Sequence, residues 1–161
     1  MRIDEVSAQV KETLEEWEAL EDVPIVPEEL PGTVAAFGGV EVKSYEQLQE
    51  LQERALNEQG ILITVLSLAA GTLVNVTRAE KSRVTVEQIL AISANLQASN
   101  GSGNGPAALT VLRETIRALR GRATGRGRPE FRLAPEAFAR ADGGAGVMTY
   151  FVGFEVDVTI D

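Results

Sequence analysis

From Val147 to Asp161 the chain alternates with a period of two. Met148, Tyr150, Val152, Phe154, Val156, Val158 and Ile160 fall on one side, and Thr149, Glu155, Asp157 and Thr159 on the other. Successive side chains of a strand point to opposite faces, so this spacing makes a long β-strand with one apolar and one polar face. Such a strand needs a sheet beside it and an apolar layer over it. Phe151 interrupts the polar side and is the preferred interface aromatic.

The covering layer is legible upstream. Ile3, Val6, Val10, Leu14, Trp17 and Leu20 recur at spacings of three or four, the stripe of an amphipathic helix over about 3–21 with Glu12, Glu15, Glu16 and Glu18 mostly outside. Pro24 and Pro27 stop it, and the chain runs extended through Val23 to Leu30. A short strand follows at Thr33 to Phe37. Ser44-Tyr45-Glu46-Gln47 has the form of a capping box and opens a second helix over Tyr45 to Gln59. Ile61 to Leu66 is short and β-branched, which predicts a central strand. Leu73 to Thr77 reads more weakly as a strand. Val84 to Leu96 suits a helix through Val86, Ile89, Leu90 and Ala94, and a strand through Ile92, Ala94 and Leu96. A third helix begins after Pro106, with Leu109, Leu112, Ile116 and Leu119 as its core stripe and Arg113, Arg117 and Arg120 on a neighbouring face. Glycine-rich stretches at about 98–105 and 121–129 read as flexible loops. The expected fold is a single α/β (α+β) domain over 1–161, a small mixed, largely antiparallel sheet flanked by helices.

Composition narrows the chemistry. The chain has no cysteine and no histidine, which removes disulfides, the usual zinc ligands, and the Ser-His-Asp and Cys-His arrangements. Catalysis would rest on carboxylates, serine, three lysines (Lys11, Lys43, Lys81) and two tyrosines (Tyr45, Tyr150). Carboxylate pairs at Glu15/Glu16, Glu28/Glu29 and Asp157/Asp161 lack the context that organises a metal or acid–base site, and read as solvated faces. The glycines at 101–105 lack the Lys-Ser or Lys-Thr of a phosphate loop. We therefore expect no catalytic residue, no metal, no cofactor and no enzymatic activity. The apolar run from Gly60 to Ala70 falls short of the roughly 20 residues that span a bilayer, and the acidic N-terminus is unlike a signal peptide, so no membrane partner is expected.

Charge is segregated. Residues 1–60 carry 15 acids against 4 bases, residues 61–140 carry 11 bases against 5 acids, and residues 141–161 carry 4 acids and no base. Seven arginines (Arg113, Arg117, Arg120, Arg122, Arg126, Arg128 and Arg132) lie within twenty residues. Their fork-like heads suit carboxylates or phosphates, leaving an acidic protein surface, solvent and nucleic acid as readings. Poor aromatic interleaving and a pI near 4.6 favour protein over nucleic acid. An acidic surface of one molecule against a basic surface of another suits head-to-tail rings. Arg113, Arg117, Arg120, Arg122, Arg126, Arg128 and Phe151 are accordingly the candidate interface residues.

The acidic N-terminal helix, the Ile61–Leu66 strand, Ile89-Leu90-Ala91-Ile92-Ser93-Ala94-Asn95-Leu96, the Gly/Asn-rich loop, Ala107 to Leu119 closed by Arg120-Gly121, Phe131-Arg132-Leu133, a short segment at Ala137 to Arg140 and the alternating final strand together resemble the Mu-like phage tail proteins related to tail terminators. The resemblance covers roughly residues 45–161 and, weakly, the first helix. It lies in structural pattern rather than signature residues, and the Pro-rich Val23–Pro31 connection departs from it. It implies a virion structural protein assembled in the host cytoplasm. A homohexameric ring would cap the tail tube and contact tube, sheath and neck or connector proteins, as in contractile tails. It also implies that Ile89 to Leu96 is a strand. Two alternatives remain: a neck or tail-completion component contacting DNA through the arginines, and a carboxylate-dependent hydrolase.

Overall fold

The computed structural model describes residues 2–27, 34–35, 41–42, 44–66, 73–76, 83–95, 108–120, 131–142 and 146–159. In chain order the elements are α1 (Val6–Glu15), β1 (Ile25–Pro27), β2 (Val34–Ala35), β3 (Glu41–Val42), α2 (Tyr45–Glu58), β4 (Ile61–Val65), β5 (Leu73–Val76), β6 (Arg83–Asn95), α3 (Ala108–Arg120), β7 (Arg132–Asp142) and β8 (Val147–Thr159). Short 3-10 turns flank α1 at Ile3–Glu5 and Glu18–Leu20.

The alternating segment is β8, an interior strand of the sheet. It pairs antiparallel with β6 from Arg83↔Thr159 to Asn95↔Val147, and with β7 on its other side. The order is β1-β4-β6-β8-β7, with β5 also on β6; among the described strands only β1 and β4 run parallel, so the sheet is mixed and largely antiparallel as expected. β2 and β3 form a separate two-stranded pair. The segment 83–95 is a strand. Its periodicity was ambiguous because it is interior and apolar residues occupy both faces: Leu90, Ile92 and Ala94 on one, Ile89 and Ala91 on the other. The edge strand β7 carries a bulge between Leu133 and Phe138 with Pro135 inside it, a position where a strand tolerates proline.

Two apolar layers cover the sheet. On one face Val6, Val10 and Leu14 of α1 and Val111, Ala118 and Leu119 of α3 join Ile61, Ile63, Leu90, Ile92, Val152, Phe154 and Val156 in the main core. On the other face Leu48, Leu51 and Ala55 of α2 pack on Val26 and Leu62. Fully burying each large apolar side chain contributes about 1.5–3 kcal/mol. Ser44 caps α2, accepting a hydrogen bond from the Gln47 backbone N–H at 3.3 Å. Among the described residues no helix is long and apolar enough to cross a membrane.

Two expectations need correction. The first helix does not run to residue 21: α1 ends at Glu15, and Trp17 is extended (φ −81°, ψ 114°) before the 3-10 turn. That break turns the indole toward α3, where it finds a carboxylate. The buried face of α3 is also rotated by roughly a quarter turn from the expected stripe. Val111, Glu114, Thr115, Ala118 and Leu119 are buried, Leu112 and Ile116 only partly, and Leu109 is 63% exposed. The segments at 98–105 and 121–129, read as loops, lie outside the described residues.

Candidate protein-interface site

Rotation of α3 places Arg113, Arg117 and Arg120 on the side away from the core, all three exposed, with Leu109 at the head of the same face. Beneath two of the arginines lies Glu114, whose side chain is only 9% exposed. Its Oε2 accepts from Trp17 Nε1–H at 3.0 Å, and its Oε1 from Arg117 at 3.1 Å. The Arg113 guanidinium stands 3.4 Å from the same Oε1. The indole hydrogen bond, followed by the Arg117 and Arg113 charges, holds the Glu114 carboxyl below its ordinary range despite burial pulling the other way. Arg113 and Arg117 thus share one internal counter-charge while keeping most of their surface in solvent, 67% and 63% exposed.

An open cleft of about 640 Å³ adjoins this cluster, lined by Glu16, Trp17, Glu18, Ala19, Glu114 and Arg117. Among the described residues its walls are three acids, an arginine, an alanine and the Trp17 indole. Among the described residues no three Asp or Glu stand close enough to hold a metal ion. Of the carboxylate pairs named from sequence, Glu15 is bridged to Lys11 at 2.7 Å, and Asp157 accepts from Thr85 and from Arg132 at 3.2 Å. Glu28, Glu29 and Asp161 lie outside the described residues.

The candidate residues do not form one patch. Arg122, Arg126 and Arg128 lie outside the described residues. Phe151 is half-buried on the opposite face of the sheet from α3, in a crosswise row with Ala91 and Ala139. Sequence reasoning placed Trp17 on the apolar stripe of the first helix without its link to α3, and missed Glu114 and Gln88. Glu114 did leave a signal, being an acid three residues before Arg117 inside an arginine-rich run. Gln88 left none, since a polar residue at a core-facing strand position looks like a break in the pattern. It is fully buried and its amide bonds to Ser7, Leu66 and Ile89.

No family model matches the chain, and no curated protein matches it. Among solved structures the chain is similar to one in the virion of a native gene transfer agent (GTA) particle. The TM-score is 0.57 at 14% identity, over 96% of this chain and 94% of that one. The likeness is one of fold, extends over nearly the whole of both chains, and carries no assignment to the Mu-like tail-terminator family.

Proposed function

We propose that this chain is a structural protein of a phage-like particle and acts as its tail terminator. Copies close into a ring, in this reading a homohexamer, that caps the tail tube and joins it to the neck. The observation that carries the reading is the end-to-end fold likeness to a chain of the GTA virion. The segregation of acidic and basic segments supports assembly between copies, and a chain without cysteine or histidine is poorly equipped for catalysis. The mechanism is packing: a rigid sheet between helical layers presents unlike surfaces to its neighbours, and closure of the ring ends polymerisation of the tube. No enzymatic step is involved. The low pI of about 4.6 and the lack of interleaved aromatics support a protein partner over nucleic acid for the arginine face. Electron microscopy of particles produced without this chain tests the role. Tails of uncontrolled length, or tails unjoined to heads, are expected; particles with normal tails joined to heads would overturn it.

A further inference from the structure

Two helices on opposite faces of the sheet carry opposite charges in the same geometry. On α3 the arginines stand at 113, 117 and 120; on α2 Glu46, Glu50 and Glu53 stand at the same spacings of four and three, all exposed. Each triplet lies across its helix from the buried residues: Leu48, Leu51 and Ala55 on α2, and Val111, Thr115 and Ala118 on α3. Both therefore form a straight outward stripe about 10 Å long. Arg54 lies to one flank of the acidic stripe. Because α2 and α3 belong to different cores on opposite sides of the sheet, the two stripes of one molecule cannot meet each other.

We propose that the basic stripe of α3 docks on the acidic stripe of α2 in a second copy of this chain, giving a head-to-tail contact. This rests on the assembly reading above and names its surfaces. A two-fold contact through α3 would set arginine against arginine, so the charge pattern selects a heterologous contact, the kind that closes rings. The acids in and beside α1 are poorer partners because their own molecule already engages several. Glu5 pairs with Arg2 at 3.4 Å and Glu15 with Lys11 at 2.7 Å, and Glu16 shares the cleft with Arg117. Glu46, Glu50 and Glu53 form no ion pair among the described residues. Leu109 adds an apolar contact at one end of the basic stripe.

Charge reversal in the full chain tests the pairing. One variant carries Arg113→Glu with Arg120→Glu, which keeps Arg117 on Glu114; the other carries Glu50→Arg with Glu53→Arg. Circular dichroism checks that both fold, and sedimentation velocity at low and moderate salt reads assembly. Each variant alone should assemble at least about tenfold more weakly than the parent, since two attractions become repulsions. An equimolar mixture of the two should recover assembly, because each then offers the complement of the other. If the α2 variant assembles like the parent while the α3 variant is impaired, α2 is not the partner, although the assembly reading stands. Failure of the mixture to recover, or no impairment in either variant, also overturns the pairing. A parent chain that stays monomeric at every concentration overturns the assembly reading and this inference together.

Discussion

Replacing Gln88 with leucine is expected to destabilise the fold by about 2–4 kcal/mol. Gln88 is fully buried on the core face of β6, and its amide is the polar link between α1 and the sheet. Ser7 Oγ donates to its Oε1 at 2.9 Å, and its Nε2 donates to the Leu66 carbonyl at 2.6 Å and the Ile89 carbonyl at 3.0 Å. The Ile89 carbonyl also accepts from the Leu66 backbone N–H at 3.1 Å and so keeps a partner. The Ser7 hydroxyl and the Leu66 carbonyl lose the bonds they share with Gln88, at about 1–3 kcal/mol for each group left unpaired, while the apolar leucine recovers part of that. For a chain of this length the net figure corresponds to a fall in Tm on the order of 10 °C. Ser7→Ala should cost less, about 1 kcal/mol, because it strands only Oε1. The double variant should cost less than the sum, since Oε1 is absent once Gln88 is replaced. Urea unfolding followed by circular dichroism measures all three. A Gln88→Leu midpoint equal to or above the parent's would refute the idea that this amide holds α1 to the sheet.

Thr115 is fully buried in α3 with its hydroxyl lacking a hydrogen-bond partner among the described residues, so the isosteric Thr115→Val should stabilise by about 1 kcal/mol and raise Tm by roughly 2–4 °C. Trp17→Phe removes the main cause of the lowered Glu114 pKa. A lowered carboxyl stabilises above its unfolded value and ceases to as pH falls through the folded one, so the variant should melt below the parent at pH 7 and converge with it in acid, while Glu114 titrates nearer its ordinary range by NMR. Burial, and then Glu155 opposite it, push the Glu87 carboxyl up, so its ionised form costs stability at neutral pH and the cost vanishes below the unfolded value. Glu87→Gln should stabilise at pH 7 by about 0.5 kcal/mol, with the two melting curves merging at low pH.

Where one physical rule governed a segment, the sequence could be read directly. β8 has one apolar face, so its period of two survived intact, and α2 announced itself through the Ser44 cap and the Leu48, Leu51 and Ala55 stripe. Where two rules competed, it could not. β6 is covered on both sides, which erases alternation, and only its resemblance to a family pattern favoured a strand. On α3, counting apolar residues selected Leu109 and passed over Glu114 and Thr115, because a buried carboxylate held by an indole and two guanidinium groups is invisible until tertiary structure brings Trp17 across. The same contact depends on the first helix stopping at Glu15, which turns Trp17 toward α3. Of the candidate interface, the arginine stripe was legible as a helical face, whereas its separation from Phe151 depends on which side of the sheet each occupies.

Peptide-counting mass spectrometry on purified particles, washed free of lysate and paired with immunolabelling in the electron microscope, tests the central claim most directly. A virion terminator is expected at a small, fixed copy number per particle, with label confined to the junction of tail and neck. Abundance in the producing cell combined with absence from washed particles would contradict the account.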